Sequence, residues 1–151
     1  MHPKFLEYLS CPESGEPLAL KVTEQNANGS VVTGVLTSSS GRYYPIVRGI
    51  PRFVDEKQYV GSFGYEWTRW PRVQFDAENV GRPMEGHTTR MFDTITGAKD
   101  YSFAGQTVVE FGCGPGRFLD VVRRRGGRAV GLELSQAVEA ARRNFTDDPD
   151  V

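Results

Sequence analysis

The sequence predicts an α/β protein: an incomplete βαβα unit of the doubly wound kind, preceded by a small β-rich region. Three observations predict it. Val108-Val109-Glu110-Phe111-Gly112-Cys113-Gly114-Pro115-Gly116-Arg117-Phe118 reads as a buried strand, a glycine-rich turn and the first turn of a helix. Residues 129–134 repeat the strand signal, and Ser135 is a good N-cap for a helix over 136–145. Near the amino terminus, short β-branched runs alternate with turn residues, the pattern of antiparallel hairpins.

Taken in order, residues 4–10 form one amphipathic turn or short helix, with Phe5, Leu6 and Leu9 on one side. Cys11-Pro12 to Pro17 is turn-rich. Residues 18–22 and 31–36 are strands, and Asn26-Ala27-Asn28-Gly29 between them carries hairpin turn chemistry. Residues 43–47 make a third strand, where Pro45 argues for an edge or strand-terminal position. Residues 1–55 are thus a small β-rich domain, near the lower size limit for an independent core.

Residues 56–104 are an aromatic-rich linker holding Tyr59, Phe63, Tyr65, Trp67, Trp70 and Phe75. Within it, residues 88–95 fit a helix with Met91, Phe92 and Ile95 facing inward and Gly97 as its stop. Residues 105–151 carry the βαβα pattern. The first strand is 107–111. The helix over 117–125 has Phe118, Leu119, Val121 and Val122 on its apolar side and ends at Gly126-Gly127. A parallel sheet needs several strands and cover on both faces, which two strands and two helices do not supply. The expectation is therefore a fragment of a longer protein, or a half-domain completed by another chain. An exposed strand edge also invites self-association.

Bulk properties exclude some classes. The balance of 18 basic and 19 acidic residues provides no global field for nucleic acid or an anionic membrane. No apolar run approaches the roughly 20 residues of a membrane span, and the first residues lack a secretory core, so the expected location is cytoplasmic. Cys11 and Cys113 do not make a disulfide framework.

Glu110 decides the ligand. Dinucleotide sites use G-x-G-x-x-G after an apolar strand. Here the spacing is G-x-G-x-G, and a carboxylate stands two residues before the first glycine. It would repel a pyrophosphate but accept hydrogen bonds from an ammonium group. A ligand with an ammonium at one end and an adenosine at the other is S-adenosylmethionine.

Residues 108–145 resemble class I S-adenosylmethionine-dependent methyltransferases, which have a Rossmann-like fold. The resemblance implies that Glu110 contacts or orients the methionine end, over a floor of Gly112, Cys113, Gly114 and Gly116. It implies that Glu133 accepts hydrogen bonds from both ribose hydroxyls, followed by Leu134 and Ser135 as further cofactor contacts. Glu133 lies 21 residues after Gly112, the distance at which strand, helix and strand bring both to one crevice.

The first 55 residues resemble the small zinc-ribbon methyltransferase-activator family, on Leu9-Ser10-Cys11-Pro12, Pro17-Leu18 and Tyr44-Pro45-Ile46-Val47-Arg48-Gly49-Ile50-Pro51. Zinc-binding members use four cysteines. Here only Cys11 remains, and Ser14, Thr37 and Ser40 occupy the matching positions. Hydroxyls are poor zinc ligands beside thiolates, so a metal-free ribbon is expected. Gly61-Ser62-Phe63-Gly64-Tyr65-Glu66-Trp67 resembles a segment that precedes the methyltransferase domain in such fusions and forms part of a lid, which implies cofactor contacts for Tyr65 and Trp67. Arg69, Trp70 and Arg90 are further candidates for the same pocket.

Simpler roles compete. Glu110 is also readable as a surface carboxylate, Cys113 as an incidental small residue, and the aromatics between 59 and 75 as packing. Arg123-Arg124-Arg125 reads as the solvated, cationic end of a helix. His2 falls in a frayed terminus and His87 lacks ligand spacing. No catalytic base is assigned, because methyl transfer depends on proximity and orientation. The expected function is the cofactor-binding half of a methyltransferase with an unidentified acceptor, inactive as this chain alone. The alternatives are a non-catalytic module that binds and activates a partner methyltransferase, and a nicotinamide-dependent oxidoreductase.

Overall fold

The computed structural model describes residues 1–55, 61–146 and 148–151, with the backbone alone for 61–64. Tyr59 and Asp147 lie outside the described residues, and so does the side chain of Phe63. The chain is mixed α/β and divides into two compact units, Met1–Gln58 and Tyr59–Val151.

The first unit is a four-stranded antiparallel sheet in sequence order: β1 (Leu18–Gln25), β2 (Val31–Ser38), β3 (Tyr43–Val47) and β4 (Ile50–Pro51). The β1–β2 hairpin turns where Asn26 and Asn28 side chains both accept the Ser30 N–H, at 2.8 and 3.1 Å. Both strands run two or three residues past the predicted ends, since the ladder tolerates the polar residues Thr23–Gln25 and Thr37–Ser38 once its apolar face is buried. That face comprises Leu18, Val31, Leu36, Tyr44 and Ile46 around Cys11, with Leu6, Leu9 and Phe53 packed against it.

Two expectations need correction here. Pro45 lies mid-strand on β3, the third of four strands. Its carbonyl accepts from Arg52 N at 2.8 Å, so the N–H it lacks would face the flank where β4 is only two residues long. The amino terminus is also anchored rather than frayed. The Met1 ammonium donates to the carbonyls of Val31 at 3.1 Å and Gly49 at 2.7 Å, and His2 Nδ1 accepts from Lys4 N in a 3₁₀ turn over Pro3–Tyr8.

The second unit contains α1 (Gly61–Arg69), α2 (His87–Thr96), β5 (Thr107–Phe111), α3 (Arg117–Arg124), β6 (Arg128–Leu132) and α4 (Ala137–Asn144). β5 and β6 are parallel, with Glu110 opposite Gly131 and Phe111 opposite Leu132. Helix α3 buries Leu119, Val121 and Val122 with Ala129, Phe75, Phe92, Phe103 and Phe145 in one core. Its one buried charge, Asp120, is paired with Arg124 at 2.9 Å. The opposite sheet face is open: Phe111 is 82% and Val109 44% exposed. Asp150 O accepts from Ala129 N at 2.7 Å, so the chain's last residues run along the outer edge of β6.

The inward face of α2 differs from expectation. Phe92 and Thr88, one turn apart, are buried, whereas Ile95 is 66% and Met91 37% exposed. Asp76 selects that rotation. It accepts the N–H groups of Thr88 and Thr89, both at 3.0 Å, and so caps the helix start from a distance of twelve residues.

Candidate functional site

The glycine turn joins β5 to α3 and is tethered to the end of β6. Gly112 and Cys113 both donate to the Leu132 carbonyl, at 2.7 and 3.1 Å. Gly112, Gly114 and Gly116 all have positive φ, of 73°, 54° and 92°. At Gly116 the requirement is double, since a Cβ would also stand 2.5 Å from the Phe145 ring. Gly131 on β6 allows a second close approach: a Cβ there would stand 2.6 Å from Cys113 Sγ and 2.8 Å from Leu119. Gly131 therefore lets the turn lie close against β6, and Gly116 lets the Phe145 ring close against the turn.

A cleft of about 280 Å³ opens over this turn, lined by Trp67, Gln74, Glu110, Gly112, Cys113, Gly114, Pro115, Arg117, Phe118 and Glu133. Its size is near the low end of small-molecule sites, roughly 300–1,000 Å³. Glu133 is fixed by the backbone: Gly114 N–H donates to Oε2 at 2.8 Å and Ser135 N–H to Oε1 at 2.7 Å. Each oxygen keeps a further lone pair for a hydroxyl donor. Glu110 is the reverse case. Its Oε2 is buried without a hydrogen-bond partner. Burial pushes its carboxyl up to about 7 from the ordinary 4.5, with Arg117 acting against the shift and Glu133 with it. Burial, together with the Glu110 and Glu133 carboxylates, likewise raises the Cys113 thiol to about 12, so it stays a neutral thiol near pH 7.

Of the residues singled out from the sequence, Glu110, Gly112, Cys113, Gly114, Glu133 and Trp67 meet at this cleft. Gly116 sits behind it as the cap of α3. Ser135 is buried and its hydroxyl accepts from Ala137 N at 3.1 Å, which caps α4. Leu134 is 50% and Tyr65 68% exposed, and neither lines the cleft. Arg69, Trp70 and Arg90 are absent from its lining as well. Sequence reading missed Gln74 and Arg117. Gln74 carries no local signal, whereas Arg117, directly after the last glycine, could have been placed by its position at the mouth of the turn.

Asn144, at the end of α4, ties the cleft's two sides together. Its amide donates to Pro71 O at 3.0 Å and to Pro115 O at 2.9 Å. Pro115 belongs to the glycine turn, and Pro71 stands between the cleft residues Trp67 and Gln74.

In the first unit a second polar cluster involves the positions matched to zinc ligands. Glu16 accepts from Ser39 at 2.6 Å, Ser40 at 2.7 Å and Ser14 at 2.8 Å. These hydroxyls hold its carboxyl down at about 2. Cys11 Sγ lies 3.1 Å from the Tyr44 hydroxyl. Ser14 and Tyr44 lower the thiol to about 7, and Tyr44 rises to about 12. One thiol, hydroxyls and a carboxylate already accepting three hydrogen bonds are not a zinc donor set. Among the described residues, no three His, Cys, Asp or Glu side chains gather to hold a metal ion. No helix among them is long and apolar enough to cross a membrane.

No protein-family model and no curated protein matches the chain. Over 38% of its length it is similar, at 28% identity and a TM-score of 0.34, to a chain of a solved complex between the Haloferax volcanii Trm112 methyltransferase activator and a candidate methyltransferase, 97% of that chain being covered. A TM-score that low does not fix a fold.

Proposed function

We propose that the second unit is the cofactor-binding part of an S-adenosylmethionine-dependent methyltransferase. The observation that carries the reading is a pair of carboxylates at the ends of two parallel strands around one glycine turn, Glu133 with both oxygens oriented and Glu110 with one oxygen unpartnered. A buried carboxyl oxygen without a donor is costly, and an ammonium group supplies the missing donor. Glu133, held by two backbone N–H groups, accepts from a ribose diol without rearranging. A pyrophosphate in the same cleft would face both carboxylates.

When bound, the cofactor supplies an electrophilic methyl on a sulfonium. The chain's own groups bind and orient it: Glu110 the ammonium, Glu133 the ribose, the glycine backbone the space between. The first unit, on this reading, is a metal-free relative of the zinc ribbon, whose loops at 11–16 and 38–40 are closed by Glu16 and three serines.

The test is calorimetric titration of S-adenosylhomocysteine into the 151-residue chain, with NADH as control. Glu133→Ala is expected to weaken S-adenosylhomocysteine by about 1–3 kcal/mol. Unchanged affinity in that variant, or tighter binding of NADH, removes the assignment.

A further inference from the structure

Chain termini fray unless something ties them down, and Met1 is tied by its nitrogen, its carbonyl and its side chain. The ammonium donates to Gly49 O at 2.7 Å and to Val31 O at 3.1 Å, partners 48 and 30 residues away. The carbonyl accepts from Val31 N at 2.8 Å, so Met1 and Val31 exchange both main-chain hydrogen bonds as a strand pair does. The side chain packs on the first unit's apolar core. Val31 opens β2, and Gly49 stands in the turn between β3 and β4. In that turn Arg48 and Gly49 both have positive φ, of 52° and 79°, a backbone that residues with side chains rarely adopt. One nitrogen thus joins the start of β2 to a left-handed turn. Only a nitrogen with at least two N–H groups serves both carbonyls, and a positive one does so through charge-assisted bonds. An amide nitrogen has one N–H and no charge.

We infer that the Met1 nitrogen is a modification site: as a free ammonium it latches the first unit, and acylated it releases the latch. Acyl transfer from a thioester, before the unit closes, forms the new N–C bond. Of the two protons the ammonium gives up, one leaves on the thiol and the other passes to solvent. The terminal charge is lost. One of the two carbonyls loses the donor it had, and the bond to the other is weakened. A unit this small is marginally stable, so the change is felt in its folding. The latch is independent of the cofactor reading above.

The test compares three forms of the 151-residue chain: free Met1, Nα-acetyl-Met1, and a chain with one glycine added before Met1. Amide hydrogen exchange reads each unit separately in the intact chain. In both altered chains the amides of Val31, Leu36 and Gly49 are expected to exchange roughly ten- to a hundredfold faster than in the free form. Amides of Val121 and Val122 in α3 are expected to keep their rates, which separates a local latch from general damage. Equal rates at Val31 and Gly49 in all three forms overturn the latch. Equal acceleration in both units overturns it too. So does acceleration in the acetylated chain alone, because the Met1 nitrogen is an amide in both altered chains.

Discussion

Glu16 in the first unit and Glu110 in the second are the same residue in opposite situations. Glu16 collects three hydroxyl donors from two loops and its carboxyl is held down at about 2. Glu110 keeps a buried oxygen with no donor and its carboxyl is pushed up to about 7. The first carboxylate is finished by its own chain, and so it staples. The second is completed only by something from outside. The same contrast runs through the surroundings. The first unit's sheet buries its apolar face under a 3₁₀ turn and loop residues, while β5 and β6 leave Val109 and Phe111 open and surround a cleft. An unsatisfied polar atom beside backbone that only glycine can adopt is the physical mark of a binding region.

The largest effect that tests this contrast is a core deletion on each side. Leu119 is 2% exposed and packs beneath both Gly116 and Gly131. Leu119→Ala is expected to cost about 2–5 kcal/mol, read as a lowered urea midpoint, and to lower affinity for S-adenosylhomocysteine because the glycine turn loses its support. Leu36→Ala in the first core, where Leu36 is fully buried, is expected to cost a similar amount without a direct effect on that affinity. Loss of binding in Leu36→Ala at a denaturant-free, fully folded condition would break the contrast.

A smaller effect is expected at Asn144. Its amide is the bond between the Pro71 segment and the glycine turn. Asn144→Ala removes two hydrogen bonds, about 1–2 kcal/mol, and should loosen the Trp67 wall relative to Pro115. The measurement is the same pair of curves, urea unfolding and ligand titration. A drop in stability with ligand affinity intact would show that the bridge holds the fold and not the cleft.

The elements around the cleft were legible because their signals are local. Residues 107–111, the glycines and Gly126-Gly127 mark strand, turn and stop within a few positions, and β5 and α3 form where the pattern places them. Glu110 stood out by its place before the glycines and Glu133 through the resemblance those glycines carry, and both line the cleft. What the sequence concealed depends on distant partners. The rotation of α2 is set by Asp76, twelve residues earlier, and not by the apolar count that favoured Met91 and Ile95. Gln74 enters the cleft 36 residues before Glu110 in the chain, and the Asn144 bridge joins positions 73 apart. Glu16 carries no local signal, because its partners Ser39 and Ser40 lie 23 and 24 residues further along the chain. The group that gathers Ser14 and Ser40 is the carboxylate between those loops.

The pH dependence of stability sets the two glutamates against each other directly. Glu110 is raised from 4.5 to about 7, so between those values the folded, ligand-free chain holds a proton that the unfolded chain has released. Its contribution to stability is therefore present below about pH 4.5 and lost as pH rises towards 7. Glu16 is lowered from 4.5 to about 2, so the unfolded chain holds the extra proton and stability is lost as pH falls from 4.5 towards 2. Urea midpoints followed across pH 2–8 should separate the two, with Glu16→Gln flattening the acid side alone and Glu110→Gln the neutral side alone. Saturation with S-adenosylhomocysteine should mimic Glu110→Gln on the neutral side, because an ammonium beside the carboxylate returns its pKa towards the ordinary range. If ligand leaves the neutral slope untouched, Glu110 is a buried carboxyl without a cationic partner, and the difference between the two glutamates is one of burial alone.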